Sequence, residues 1–173
     1  MNTFFKVSLF TVLFIFFTSC ASDPDSNEHG FTGVADGEYD NSTLSWSSAN
    51  LTWFESYPDP GSAECIEYNG CTWAGQLAYF GGATQTEAWI KNTNIIAVHS
   101  DDWNKYIGKI LRVRSGSNQI DAMVYDLCSD ADCDGCCTRN MSSTGFLIDM
   151  EINTFNRYGG DGGVVEWACL DCD

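Results

Sequence analysis

Two aspartates are the residues best placed to do acid–base chemistry. Asp126 closes the run Val124-Tyr125-Asp126-Leu127-Cys128, and Asp149 stands inside Phe146-Leu147-Ile148-Asp149-Met150. Both are single acids in apolar surroundings, where desolvation and a neighbouring carboxylate raise a carboxyl's pKa and equip it as a general acid near neutral pH. The sequence has two histidines, His29 and His99, and only His99, at the end of Asn94-Ile95-Ile96-Ala97-Val98-His99, falls in the patterned part of the chain. Each of these residues also has a plainer role open to it: a turn cap for Asp126, a helix N-cap for Asp149, a backbone-bonded strand end for His99. There is no Gly-x-Ser-x-Gly elbow, no His-Glu-x-x-His helix and no phosphate loop. No cofactor is expected.

Cysteine is the other reactive type. Cys20 apart, eight remain: Cys65, Cys71, Cys128, Cys133, Cys136, Cys137, Cys169 and Cys172. Cys133-x-x-Cys136 and Cys169-x-x-Cys172 have the spacing of zinc ligands. An even set behind an export signal reads instead as a disulfide framework, with no metal expected. Neighbouring Cys136 and Cys137 stand too close to pair with each other, so each is expected to join a different part of the fold. Asp130, Asp132 and Asp134 alternate in the same loop without the register of a calcium-binding hand.

The elements that would carry these groups are mostly strands. Leu51 to Phe54 reads as the first, closed by Tyr57-Pro58-Asp59-Pro60-Gly61. Asn94 to His99 is an apolar run. Lys109 to Arg114 alternates, Leu111 and Val113 against Arg112 and Arg114, and Gln119 to Tyr125 turns Ile120, Ala122 and Val124 inward. Gly163 to Cys169 is the last strand. Thr86 to Ile90 and Asp149 to Tyr158 have helical spacing, the second stopped by Gly159. No internal repeat is visible.

Residues 1–20 read as a signal peptide, with Lys6 its only charge and an apolar core from Val7 to Phe17. Either Cys20 is the lipidated residue of a lipoprotein, or Ser19-Cys20-Ala21 is an ordinary cleavage site; the first is preferred. Residues 21–50 are polar and acidic and read as a linker or arm, with a short strand near Tyr39 to Trp46. Residues 51–173 are then one domain. The net charge of −16 becomes −17 once Lys6 is removed, which argues against nucleic acid and anionic membranes as partners.

Asp-Leu-Cys, a variable loop, a hydrophobic-Asp-hydrophobic step, a Phe-containing helix and Gly163-Val164-Val165-Glu166-Trp167 together resemble the second half of an expansin-type domain. Barwin-like proteins, some endoglucanases and the rare lipoprotein A group of lytic transglycosylases share that barrel. The likeness runs from Leu51 to Cys169 and is specific from Ile96 to Trp167. It implies an all-β fold, a disulfide-stapled six-stranded double-psi β-barrel with one or two short helices. It implies a polysaccharide groove as well, with Asp126 as the essential acid, Asp149 as the aspartate of the Leu-Asp-Leu-Ser step, and Thr52 bonding near the key Asp. Trp53, Trp73, Trp103 and Tyr125 become stacking platforms for sugar rings. The hydrolytic base of the endoglucanases has Glu55, one residue out of step, as its nearest counterpart. His99 stands where the lipoprotein A group has a working histidine, but that group's Asp-Arg-Gly-Pro step is Asp126-Leu127-Cys128-Ser129 here.

Three readings follow. The first is a secreted or lipid-anchored, monomeric module that binds and loosens cell-wall polysaccharide (cellulose, chitin or peptidoglycan) without hydrolysis. The second is a lytic transglycosylase or glycosidase working through Asp126 and His99. The third is a barwin-like inhibitor or structural protein.

Overall fold

The computed structural model describes residues 39–172. The signal peptide, Cys20 and the first part of the arm lie outside the described residues. Six strands close into a barrel: β1 (Ser47–Phe54), β2 (Ile95–His99), β3 (Ile110–Ser115), β4 (Asn118–Cys128), β5 (Leu147–Glu151) and β6 (Gly163–Cys169). Around the barrel they run β1-β5-β2-β4-β3-β6. The pairs β1–β5 and β2–β4 are parallel and the other four antiparallel. Exchanging β1, β2 and β3 for β4, β5 and β6 leaves this pattern of neighbours and directions unchanged. The barrel thus has a pseudo-twofold axis, on which β5 and β2 sit side by side and β3 and β6 sit opposite. This is the closed six-stranded architecture expected of a double-psi barrel.

Alternation explains most of the strands. Leu111, Val113, Ala122 and Val124 point into the barrel with Ile96, Val98, Ile148 and Met150, all buried in one cluster. Tyr106, Phe146 and Trp167 plug one end, with Phe146 stacked on Trp167 at 4.2 Å and Tyr106 edge-on to both. Arg112 departs from the simple pattern. It faces away from the interior as expected, yet is only 4% exposed, because residues 39–46 fold across it. Its guanidinium grips Asp121 in a bidentate pair (Nε–Oδ1 2.7 Å, a second nitrogen to Oδ2 2.8 Å) and donates to the Tyr39 carbonyl and Asn41 Oδ1. Trp46 lies over Arg114, 3.5 Å from ring centroid to guanidinium carbon. The strand anticipated near Tyr39 to Trp46 is therefore a turn clamped to β3, and β1 begins at Ser47, four residues before Leu51.

The two helices read from periodicity are α2 (Glu87–Asn92), capped by Thr86 Oγ1, and α5 (Ile152–Tyr158). Three further short helices, α1 (Ala63–Ile66), α3 (Trp103–Tyr106) and α4 (Cys136–Met141), were not anticipated. The helical reading of Asp149 is corrected. Asp149 is a strand residue in β5, and the α5 cap is Glu151, whose carboxylate accepts from Asn153 N–H at 2.7 Å.

All eight cysteines outside the leader are paired: Cys65–Cys71, Cys128–Cys137, Cys133–Cys136 and Cys169–Cys172. Cys136 and Cys137 have separate partners, but both stay within one loop and the strand end beside it. The bridges span 3 to 9 residues, so they staple local turns instead of tying distant parts together. Loops this short correspond to about 2 kcal/mol each. The zinc-like spacings are consumed as sulfur–sulfur bonds. Reduction should add eight hydrogens to the intact mass of the described domain, and thiol titration before reduction should find none within it. Bound zinc with reactive thiols would overturn this pairing.

Candidate functional site

One row of residues crosses four strands of the barrel wall. Thr52 on β1 pairs with Asp149 on β5, Asp149 with Ala97 on β2, and Ala97 with Asp126 on β4. The row is its own image under the pseudo-twofold, which exchanges Thr52 with Asp126 and Asp149 with Ala97. Flanking Ile96, Val98, Ile148 and Met150 point inward, so Ala97 and Asp149 face outward. A register shift between Ile96 and Ala97 turns β4 enough to bring Asp126 into the row. The small Ala97 leaves open space between the two acids.

The chain between β1 and β2 folds over this row and makes a cleft of about 960 Å³. Its rim carries Trp53, Tyr68 and Trp73, each between 43% and 50% exposed. Trp73 donates through Nε1 to Asp132 Oδ1 at 3.3 Å, reaching from one wall to the other. Glu55, Glu64, Asp126, Asp132 and Asp149 line the cleft, and among the described residues no lysine, arginine or histidine does.

Burial sets the protonation of these acids. Asp126 is pushed up to about 7 by desolvation, against hydrogen bonds from the Ala78 and Leu127 amides and with the charges of Asp149 and Asp132 adding to the rise. The Ala78 N–H reaches its Oδ1 at 2.9 Å. Asp149 is raised to about 6 by burial, opposed by the Thr52 hydroxyl, which donates to its Oδ1 at 2.6 Å. Thr52 therefore bonds the second aspartate of the row. Glu64 is raised to about 7, first by burial and then by the like charges of Asp149 and Glu55. At neutral pH the cleft can present protonated carboxyls, which donate hydrogen bonds that carboxylates cannot.

Glu64 was not evident from sequence. It sits in the first turn of α1, behind the Ser62 cap and immediately before the Cys65–Cys71 loop. The clue was the absence of any strand between Phe54 and Ile95: an excursion so long and stapled by its own disulfide has to cover something.

Three of the proposed site residues lie elsewhere. Tyr125 is 6% exposed and packs with Leu77, Ile90 and Ile95 in a second apolar cluster, its ring stacked on Phe80 at 5.7 Å. Trp103 in α3 packs half-buried against the barrel core. His99, 4% exposed, does not line the cleft. Its Nδ1 accepts from the Asp101 amide at 3.2 Å, which leaves the neutral ring's proton on Nε2, 3.2 Å from Thr138 Oγ1; that hydroxyl donates to Asp130 Oδ2 at 2.6 Å. This chain pins the cysteine-rich loop to the end of β2. His99→Ala should lower stability by about 2 kcal/mol through the lost bonds and packing, while glycan binding stays within a few-fold. Thermal melts and sedimentation with insoluble glycan check this; unchanged melting with lost glycan action would place His99 in the chemistry.

No protein-family model and no curated protein matches the sequence. Among solved structures, a Streptomyces papain inhibitor is similar over 74% of this chain and 97% of its own, at 12% identity and a TM-score of 0.43. An apo expansin from Clavibacter michiganensis is similar over 74% of this chain and 50% of its own, at 11% identity and a TM-score of 0.36. Likeness of this degree carries no inference about activity.

Proposed function

We propose that the chain is an exported, expansin-like module that grips cell-wall polysaccharide in the cleft without hydrolysing it. The observation that carries this reading is the Thr52–Asp149–Ala97–Asp126 row at the base of an open cleft rimmed by exposed tryptophan and tyrosine. Sugar rings stack on such rims, and the acids below serve the hydroxyls and bridging oxygens. A hydrolase separates two carboxyls in pKa so that one gives a proton while the other takes one. Here Asp126, Asp149 and Glu64 are all pushed upward, so none of these three is set apart as the base. The disulfides suit an oxidising, extracytoplasmic compartment.

The test is co-sedimentation of the domain with insoluble cellulose, chitin and peptidoglycan, with the supernatants assayed for new reducing and anhydro ends. Binding to at least one of the three with no new ends is expected. Failure to bind any would sink the reading in favour of an inhibitor or structural role, and released ends would make the protein an enzyme.

A further inference from the structure

We infer that the cleft selects glycans carrying free amino groups, of the β-linked glucosamine type, over neutral ones. This rests on the glycan-gripping reading above and adds the chemical class of the sugar. Five acids converge in the cleft without a basic side chain among its lining residues. Elsewhere the fold does supply a cation where an acid is enclosed: Arg112 answers Asp121 at 2.7 Å. Within the cleft the direct answers to Asp126 and Asp149 among the described residues are amide and hydroxyl donors, from Ala78, Leu127 and Thr52. The missing positive charge is what a ligand can bring: an ammonium placed among these carboxyls lowers their raised pKa values, draws them into the charged form and gains charge-assisted hydrogen bonds in a partly desolvated space. A further polar group waits there. Ser56 lines the same cleft, is 5% exposed, and its buried hydroxyl has no partner among the described residues.

A basic peptide would bring the same charge, but two features favour a sugar. The closed barrel offers no free strand edge for an extended chain to join. The rim aromatics Trp53, Tyr68 and Trp73 suit flat rings. Glu64, on the covering excursion, is close enough to Asp149 to be raised by its charge.

The experiment compares three β-1,4-linked hexamers that differ only at carbon 2: glucosamine, N-acetylglucosamine and glucose. Affinities are measured by calorimetry at pH 6 and roughly 0.15 M salt, where long-range attraction between exposed charges is screened. The glucosamine hexamer is expected to bind at least tenfold tighter than the other two. Glu64→Gln should cut that ratio several-fold. Glu87→Gln, which removes the same charge from an exposed pair with Lys91 on α2, should leave it unchanged. Equal affinities for the three sugars would overturn the inference while leaving the glycan-gripping reading intact, and no binding by any would overturn both. A lysine hexapeptide binding as tightly as the glucosamine hexamer would show polycation capture instead. Equal loss of preference in Glu64→Gln and Glu87→Gln would trace the effect to net charge and likewise overturn it.

Discussion

Asp126→Asn should abolish binding to insoluble polysaccharide and, at pH 8, raise the melting temperature by about 2–4 °C. The amide keeps an oxygen for the Ala78 N–H and loses only the titrating proton. The sign of the stability change follows from the raised pKa, 3.8 in the ordinary state and about 7 in the fold. Below pH 4 the acid is protonated in both folded and unfolded chains, and the variant and parent should melt together. Between pH 4 and 7 the folded chain holds a proton that the unfolded chain has lost, so the parent loses stability as pH rises. Above 7 the cost is complete. Water in the cleft screens the charge, so we expect about 1 kcal/mol at pH 8 and not the full shift. Melting curves from pH 3 to 9 check it: a gap that opens between 4 and 7 is expected. A variant that melts several degrees lower at every pH would make Asp126 a structural cap.

Arg112→Leu should produce the largest loss of stability. The variant leaves Asp121 charged and 6% exposed with its partner gone, and frees the Tyr39 carbonyl and the Asn41 side chain as well. Breaking one side of a buried pair costs about 3–5 kcal/mol, which for a domain of this size lowers the melting temperature by on the order of 10 °C. Replacing both partners, Arg112→Leu with Asp121→Leu, should recover much of the loss because no lone charge remains buried. Amide exchange should show residues 40–46 released in the single variant. A single variant within about 1 kcal/mol of the parent would mean that water reaches the pair and the clamp is a surface contact.

Strands were legible where one face is buried and alternation survives: β3 and β6 emerge with nearly the bounds that the sequence suggests. The pairing was not legible. The pseudo-twofold lives in which strand neighbours which, and no repeated residues record it, because each half buries a different set of side chains. β5 ran into a helical reading because Glu151 ends the strand and caps α5 with no turn between. Asp126 and Asp149 stood out as acids in apolar runs, and the barrel sets them in one row. Tyr125 failed as a site residue for a local reason: beside the register shift in β4, its ring is turned into the pocket of Leu77 and Ile90. His99 depends on Thr138, 39 residues away, and Glu64 on an excursion folding back over β5. Such contacts leave no periodic trace.

The two ends of the described chain are moored to the same strand. Tyr39 is held by Arg112, while Asp171 accepts from Ile110 N–H and Lys109 Nζ. Ile110 and Arg112 are two residues apart on β3, about 7 Å along a strand. With residues 1–38 removed, a linker of a few residues could therefore join them into a ring. The hairpin at Gly116, where nothing crowds the backbone, then offers a place to reopen it. The reordered chain would start at β4 and end at β3 with every strand neighbour kept, and its folding would show that the shape of the cleft does not depend on the order of synthesis.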